Sequence, residues 1–110
     1  MYRVFYCFYG EPAEVPWSQP VPIVHADIYS DLFGRLQQDG DFLGVVDQMG
    51  RTLQIMYNAD RDRYWVEIPA PERRGGYGRY MTFDEATDLL KKLPETFVPD
   101  AVPSLAFTAW

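Results

Sequence analysis

The chain has 110 residues, 47% hydrophobic and 16% aromatic, and its 10 basic and 16 acidic residues leave a net charge of −6. Area scaling lets a chain of this length bury about two thirds of its surface, enough for one domain whose core needs no metal and no disulfide framework. The acidic balance argues against a nucleic-acid binder and against anionic membrane surfaces, because neutralising phosphates takes clustered Lys and Arg.

Tyr2 to Tyr9 is β-branched or aromatic almost throughout. It predicts a strand apolar on both faces and therefore central in a sheet. The stretch from Glu11 to Pro22 carries Pro12, Pro16, Pro20 and Pro22. Each proline fixes its own φ and extends the residue before it, so the stretch reads as an ordered, extended connector. Ile28, Tyr29, Leu32, Phe33 and Leu36 then follow a helical period, with Asp27, Asp31, Arg35 and Gln38 facing out and Gly40 as a left-handed stop. Phe42 to Val46 predicts the next strand, followed by a turn over Asp47 to Arg51 in which Gly50 can take positive φ. Thr52 to Tyr57 and Tyr64 to Ile68 alternate as two more strands of a meander, joined by a turn at Asn58 to Asp62. Pro69 to Arg79, with three glycines, reads as a long loop. Thr82-Phe-Asp-Glu85 is a capping box before an apolar run of Phe83, Ala86, Leu89, Leu90 and Leu93, and Lys91 and Lys92 complement the dipole of its last turn. The tail from Pro94 to Trp110 holds Phe97, Val98, Leu105, Phe107 and Trp110, apolar enough to pack back on the body. The order β-α-β-β-β-α predicts an α+β sandwich of two layers, a mainly antiparallel four-stranded sheet with both helices on one face.

No cofactor, metal or catalytic residue is expected. His25 has no second histidine or cysteine at a ligand spacing and reads as structural near the first helix. Cys7, alone and amid Tyr and Phe, cannot close an internal disulfide and reads as a buried, inert thiol. Asp39 and Asp41, and Asp60 and Asp62, read as solvated turn carboxylates. Arg73-Arg-Gly-Gly-Tyr-Gly-Arg79 fits neither a phosphate loop nor a dinucleotide spacing. It reads as a flexed connection or as a contact loop for a protein, since Tyr77, Tyr80 and arginines are interface residue types. If Tyr64, Val66 and Ile68 face the helices, Trp65 and Glu67 share the open sheet face with Gln54 and Met56. Either that face binds a partner, or the proline connector with Trp17 folds across it. The opening residues lack a leader pattern, and no apolar run nears the ~20 residues of a membrane span, so a soluble cytoplasmic domain is expected.

The segments Phe42-Leu-Gly-Val-Val-Asp, Gly50-x-Thr-Leu-Gln-Ile, Tyr64-Trp-Val-Glu-Ile-Pro-x-Pro-Glu72 and Gly76-Tyr-Gly78 resemble small bacterial immunity proteins of polymorphic toxin systems, over roughly residues 42 to 93. The resemblance implies a cytosolic, one-domain inhibitor that binds the catalytic domain of a cognate toxin and blocks it. The family shares no catalytic residues and none is carried over. Toxins that act on nucleic acids are commonly basic at the active site, and an acidic partner is steered to such a cleft. Asp39, Asp41, Asp47, Asp60, Asp62, Trp65, Glu67, Glu72, Tyr77 and Tyr80 are the candidate contact residues. Two other readings stay open: a small carboxylate-dependent hydrolase, and a regulatory adaptor that forms a homo-oligomer through the open face or an edge strand.

Overall fold

Alternation along the first strand sorts the molecule into two sides. In β1 (Tyr2–Phe8), Val4 and Phe8 are buried in the core cluster and Tyr2 and Tyr6 pack against it, whereas Arg3, Phe5 and Cys7 point the other way. The structure is a computed structural model that describes residues 1–11, 13–102 and 104–110; Pro12 and Pro103, named above in the connector and the tail, lie outside the described residues. Seven further strands join β1: β2 (Ala13–Val15), β3 (Val21–Ile23), β4 (Phe42–Val46), β5 (Thr52–Asn58), β6 (Arg63–Ala70), β7 (Gly75–Met81) and β8 (Ala106–Ala109). All pairings are antiparallel, in the order β2-β1-β4-β5-β6-β7-β8. β3 also pairs with β1, so β2 and β3 lie end to end along one edge of that strand.

The α+β class and the antiparallel sheet are as the sequence predicts. The expected four-stranded sheet is corrected to eight strands. β1, β4, β5 and β6 are the four expected ones, and β1 is interior, with neighbours on both sides. The connector supplies β2 and β3, short edge strands where a proline such as Pro22 costs no ladder bond that the sheet needs. The expected loop at residues 69–79 is instead the end of β6, a 3-10 turn (Pro71–Arg73) and most of β7. The tail packs Phe97, Val102 and Leu105 into the core and then adds β8 to the far edge.

The first helix is irregular. α1 (His25–Asp27) runs directly into a π turn (Ile28–Leu32) and a 3-10 turn (Phe33–Arg35), shorter than the periodicity suggests. Its predicted face holds: Ile28, Leu32, Phe33 and Leu36 are buried. α2 (Phe83–Lys91) carries the capping box, with the Glu85 N–H donating to Thr82 Oγ1 at 3.1 Å and the Thr82 N–H to Glu85 Oε1 at 2.9 Å. That backbone N–H, helped by the Arg79 guanidinium 2.6 Å from Oε2, holds the Glu85 carboxyl below the usual range. Both helical segments bury their stripes in one cluster on the same sheet face, where Phe33 sits 5.0 Å from Phe83 and 4.8 Å from Tyr64 between ring centroids. His25 lies inside this layer. Its Nε2 is 2.7 Å from the Leu90 carbonyl and its ring packs on Tyr2 and Tyr29, the structural role expected of it.

Two carboxylates bracket β4. Asp41, 1% exposed, accepts the N–H groups of Tyr9, Gln37 and Gln38 at 2.8 to 2.9 Å. Asp47, 0% exposed, accepts those of Met49, Arg51 and Phe97 at 2.7 to 2.9 Å. The expectation that these two face a partner, and that Asp41 is a solvated turn residue, is therefore corrected. Satisfying three backbone donors that would otherwise be buried unpaired is what pulls each carboxylate inside. Asp47 also ties the β4–β5 turn to the tail. Replacing Asp47 with Ala should cost about 3 kcal/mol, by leaving up to three N–H groups unsatisfied. Urea unfolding should read that loss, and amide exchange at Phe97 should accelerate; an unchanged midpoint would refute the assignment.

Candidate functional site

The face opposite the helices is left uncovered. Phe5 on β1, Phe42 on β4, Gln54 and Met56 on β5, and Trp65 and Glu67 on β6 all alternate onto it. They line an open trough of about 1400 Å³ together with Arg3, Trp17, Pro20, Arg51, Pro69, Glu72 and Trp110. The connector does not fold across it. β2 and β3 extend the sheet sideways, and the loop between them carries Trp17, 77% exposed, at the margin. Met56 and Trp110 are also exposed, at 44% and 67%.

Large side chains fit on this face because their diagonal neighbours on β7 are glycines. The Trp65 ring rests over Gly78 and the Glu67 carboxyl group over Gly76. A Cβ at either position would come within 2.6 Å of them. Trp65 also meets the Tyr80 ring edge-on at 5.0 Å, and the Arg61 guanidinium lies 4.5 Å from the Tyr80 centroid. Trp110, beyond β8, reaches in from the far edge and donates its Nε1–H to Glu67 Oε2 at 3.3 Å. The other oxygen of Glu67 has only the Gln54 amide at 3.4 Å. Glu67 is 6% exposed, so a carboxyl group lies at the floor of the trough between two indoles, held by two long contacts from neutral donors.

The ten predicted contact residues are scattered by the fold. Trp65, Glu67 and Glu72 line the trough, and Tyr80 adjoins it through Trp65. Tyr77 also lines the trough, although its position on β7 alternates to the helix side, where it packs with Phe107 and Arg73 and against the core. Asp39, Asp60 and Asp62 are exposed together at the β5–β6 turn, with Asp39 accepting the Ala59 N–H at 2.9 Å and Asp62 the Tyr57 hydroxyl at 2.8 Å. The Asp62 bond is the main reason that the Tyr57 phenol is pushed up. Asp41 and Asp47 are spent on the backbone, as described. The sequence reading missed Phe5, Phe42 and Trp110, and raised Trp17 only as part of a connector lying across the face. Alternation in β1 and β4 carries the signal for the first two. Nothing marks Trp110 until β8 is known.

Cys7 is half-exposed on the open face, not buried as expected. Removal from water, then the Glu14 carboxylate 3.6 Å away, raise its pKa and keep it a thiol. Among the described residues no group of three His, Cys, Asp or Glu side chains could hold a metal ion, and no helix is long and apolar enough to cross a membrane. No protein-family model, curated protein or solved structure matches the chain.

Gly78 and Gly76 should respond differently to alanine. At Gly78 the new methyl meets the Trp65 ring and, at 2.8 Å, the Val66 carbonyl of the backbone. Overpacking of that kind costs about 1–3 kcal/mol. At Gly76 its nearest neighbours are all atoms of the flexible Glu67 side chain, which can swing away. Urea denaturation should rank Gly78→Ala well below Gly76→Ala, and equal midpoints would show that Trp65 is not held against the sheet.

Proposed function

We propose that the chain is a cytoplasmic binding protein that occludes the active site of a cognate, basic toxin domain, as an immunity protein does, and that it is not an enzyme. The observation that carries this reading is the uncovered aromatic trough. Exposed apolar patches of this kind on a small protein mark interaction surfaces, and Trp, Tyr and Arg are the side chains that anchor protein interfaces. Trp65, Tyr80, Met56 and Trp110 supply the apolar centre of the contact, and Glu67 its one buried charge. Glu72 lines the trough, and Asp39, Asp60 and Asp62 are exposed at the β5–β6 turn. The net charge of −6 favours encounter with a basic cleft, where long-range attraction raises the association rate.

The hydrolase reading is less well supported. Two-carboxylate chemistry needs a second acid beside the first, and the side chains that touch the Glu67 oxygens are the neutral Gln54 and Trp110. The adaptor reading has the exposed β8 edge in its favour, and a dimer in light scattering would support it.

Co-expression with the product of the neighbouring gene tests the proposal. The chain should protect cells from that product and co-purify with its catalytic domain. Trp65→Ala should weaken the complex roughly 30-fold or more, the loss expected of a central aromatic anchor. Asp60→Asn should chiefly slow association at low salt. Absence of both protection and capture would overturn the reading.

A further inference from the structure

Among the described residues three carboxylates are almost wholly buried, and two of them are held by backbone N–H groups. Asp41 and Asp47 each accept three backbone N–H groups at 2.9 Å or less. Glu67 accepts two side-chain donors, at 3.3 and 3.4 Å, and no cation pairs with it among the described residues. A carboxylate offers about four acceptor positions in two oxygens. Burying one with so little return is costly unless a charged partner completes it. The residue is also not there for want of a better fit. Gly76 leaves the space that its carboxyl group occupies, and Trp65 and Trp110 flank it on the trough side.

We infer that Glu67, with Trp65 and Trp110, forms a seat for a guanidinium group, filled by an arginine side chain of the partner protein. The planar fork of a guanidinium matches a carboxylate through two parallel N–H···O bonds, and its faces stack on indoles. Both interactions gain strength where water is displaced, as on the floor of a trough. Three arginines line the trough. Arg3 lies opposite Val46, at the end of β4, Arg51 just before β5, and Arg73 is engaged with the Tyr77 hydroxyl and the Phe107 ring, whereas Glu67 is opposite Gln54. None of the three is in an ion pair with Glu67. The inference rests on the binding function proposed above, but the seat can be tested without the partner.

The test titrates the purified chain with N-acetyl-arginine amide and follows the indole N–H signals by NMR, with the equally shaped but neutral N-acetyl-citrulline amide as comparator. The arginine amide should bind saturably and shift the Trp65 and Trp110 indoles, while the citrulline amide should not. Glu67→Gln, which keeps the shape and removes the charge, should weaken binding at least about tenfold, in keeping with the strength of hydrogen bonds to charged groups. Gly76→Ala, which displaces the carboxyl group without touching it chemically, should do the same while circular dichroism stays unchanged. No saturable shift, an equal response to citrulline, or binding indifferent to Glu67→Gln would overturn the seat. If the amide binds as expected and the neighbouring gene product is not captured, the seat stands and the immunity function falls. If the product is captured with equal affinity by Glu67→Gln, the function stands and the seat falls.

Discussion

Everything in this molecule turns on how it disposes of buried negative charge. β4 is the strand around which the sheet is assembled, between β1 and β5, and an aspartate stands at each end of it. Asp41 gathers the end of β1, the exit of the first helical segment and the start of β4 onto one carboxylate. Asp47 gathers the next turn and the tail onto another. Each takes three N–H groups that irregular backbone would otherwise leave unpaired, and charge-assisted bonds are about twice as strong as neutral ones. These two residues do for the loops what ladders do for the strands. Glu67, 6% exposed, is nearly as deeply placed and meets only the side-chain donors of Gln54 and Trp110.

Much of the fold was legible because its signals are local. The β-branched and aromatic run of β1, the apolar run of β4, the period-two alternation of β5 and β6, the capping box at Thr82 and Glu85, and the apolar stripe of the first helix all follow from residues within one element. Gly50, with φ of 81°, takes the left-handed turn position expected of it, and Gly40, with φ of 87°, is left-handed although the helix has already ended at Arg35. The missing strands are those whose reason lies elsewhere in the chain. Gly75, Gly76 and Gly78 look like loop residues in isolation. They form a strand because Glu67 and Trp65, on the neighbouring strand, fill the space above two of them. The connector and the tail become edge strands only because β1 and β7 offer free edges. A two-residue contact between distant segments leaves no trace in a single sequence.

The same argument explains which contact residues could be found. Trp65 and Glu67 follow directly from alternation, since the helix-facing set Tyr64, Val66 and Ile68 fixes the opposite set. The face of Tyr77 is not legible in the sequence because its segment reads as a loop, where no face is defined. Once β7 is a strand paired with β6, Tyr77 lies opposite Ile68 and must share its side. Asp41 and Asp47 were misassigned for a different reason. Aspartates beside glycines in turns are usually solvated, and only the tertiary fold shows that the N–H groups around these two have no other acceptor.

Charge and shape then act on different scales. The exposed carboxylates are spread over the helix layer and the β5–β6 turn, at Asp27, Asp31, Asp60, Asp84 and Asp88 among others, while the trough itself is lined by Arg3, Arg51 and Arg73, by Glu72, and by Glu67 on its floor. The overall charge can therefore bring a basic molecule near but cannot orient it in the trough, because its sources lie mostly outside. Orientation has to come from the floor, where Glu67 is desolvated and the rings of Trp65 and Trp110 bound the approach. On the proposed binding function, attraction at long range and selection at short range rest on separate residues, so changes to the surface acids should affect fit little and changes to the floor residues should affect it strongly.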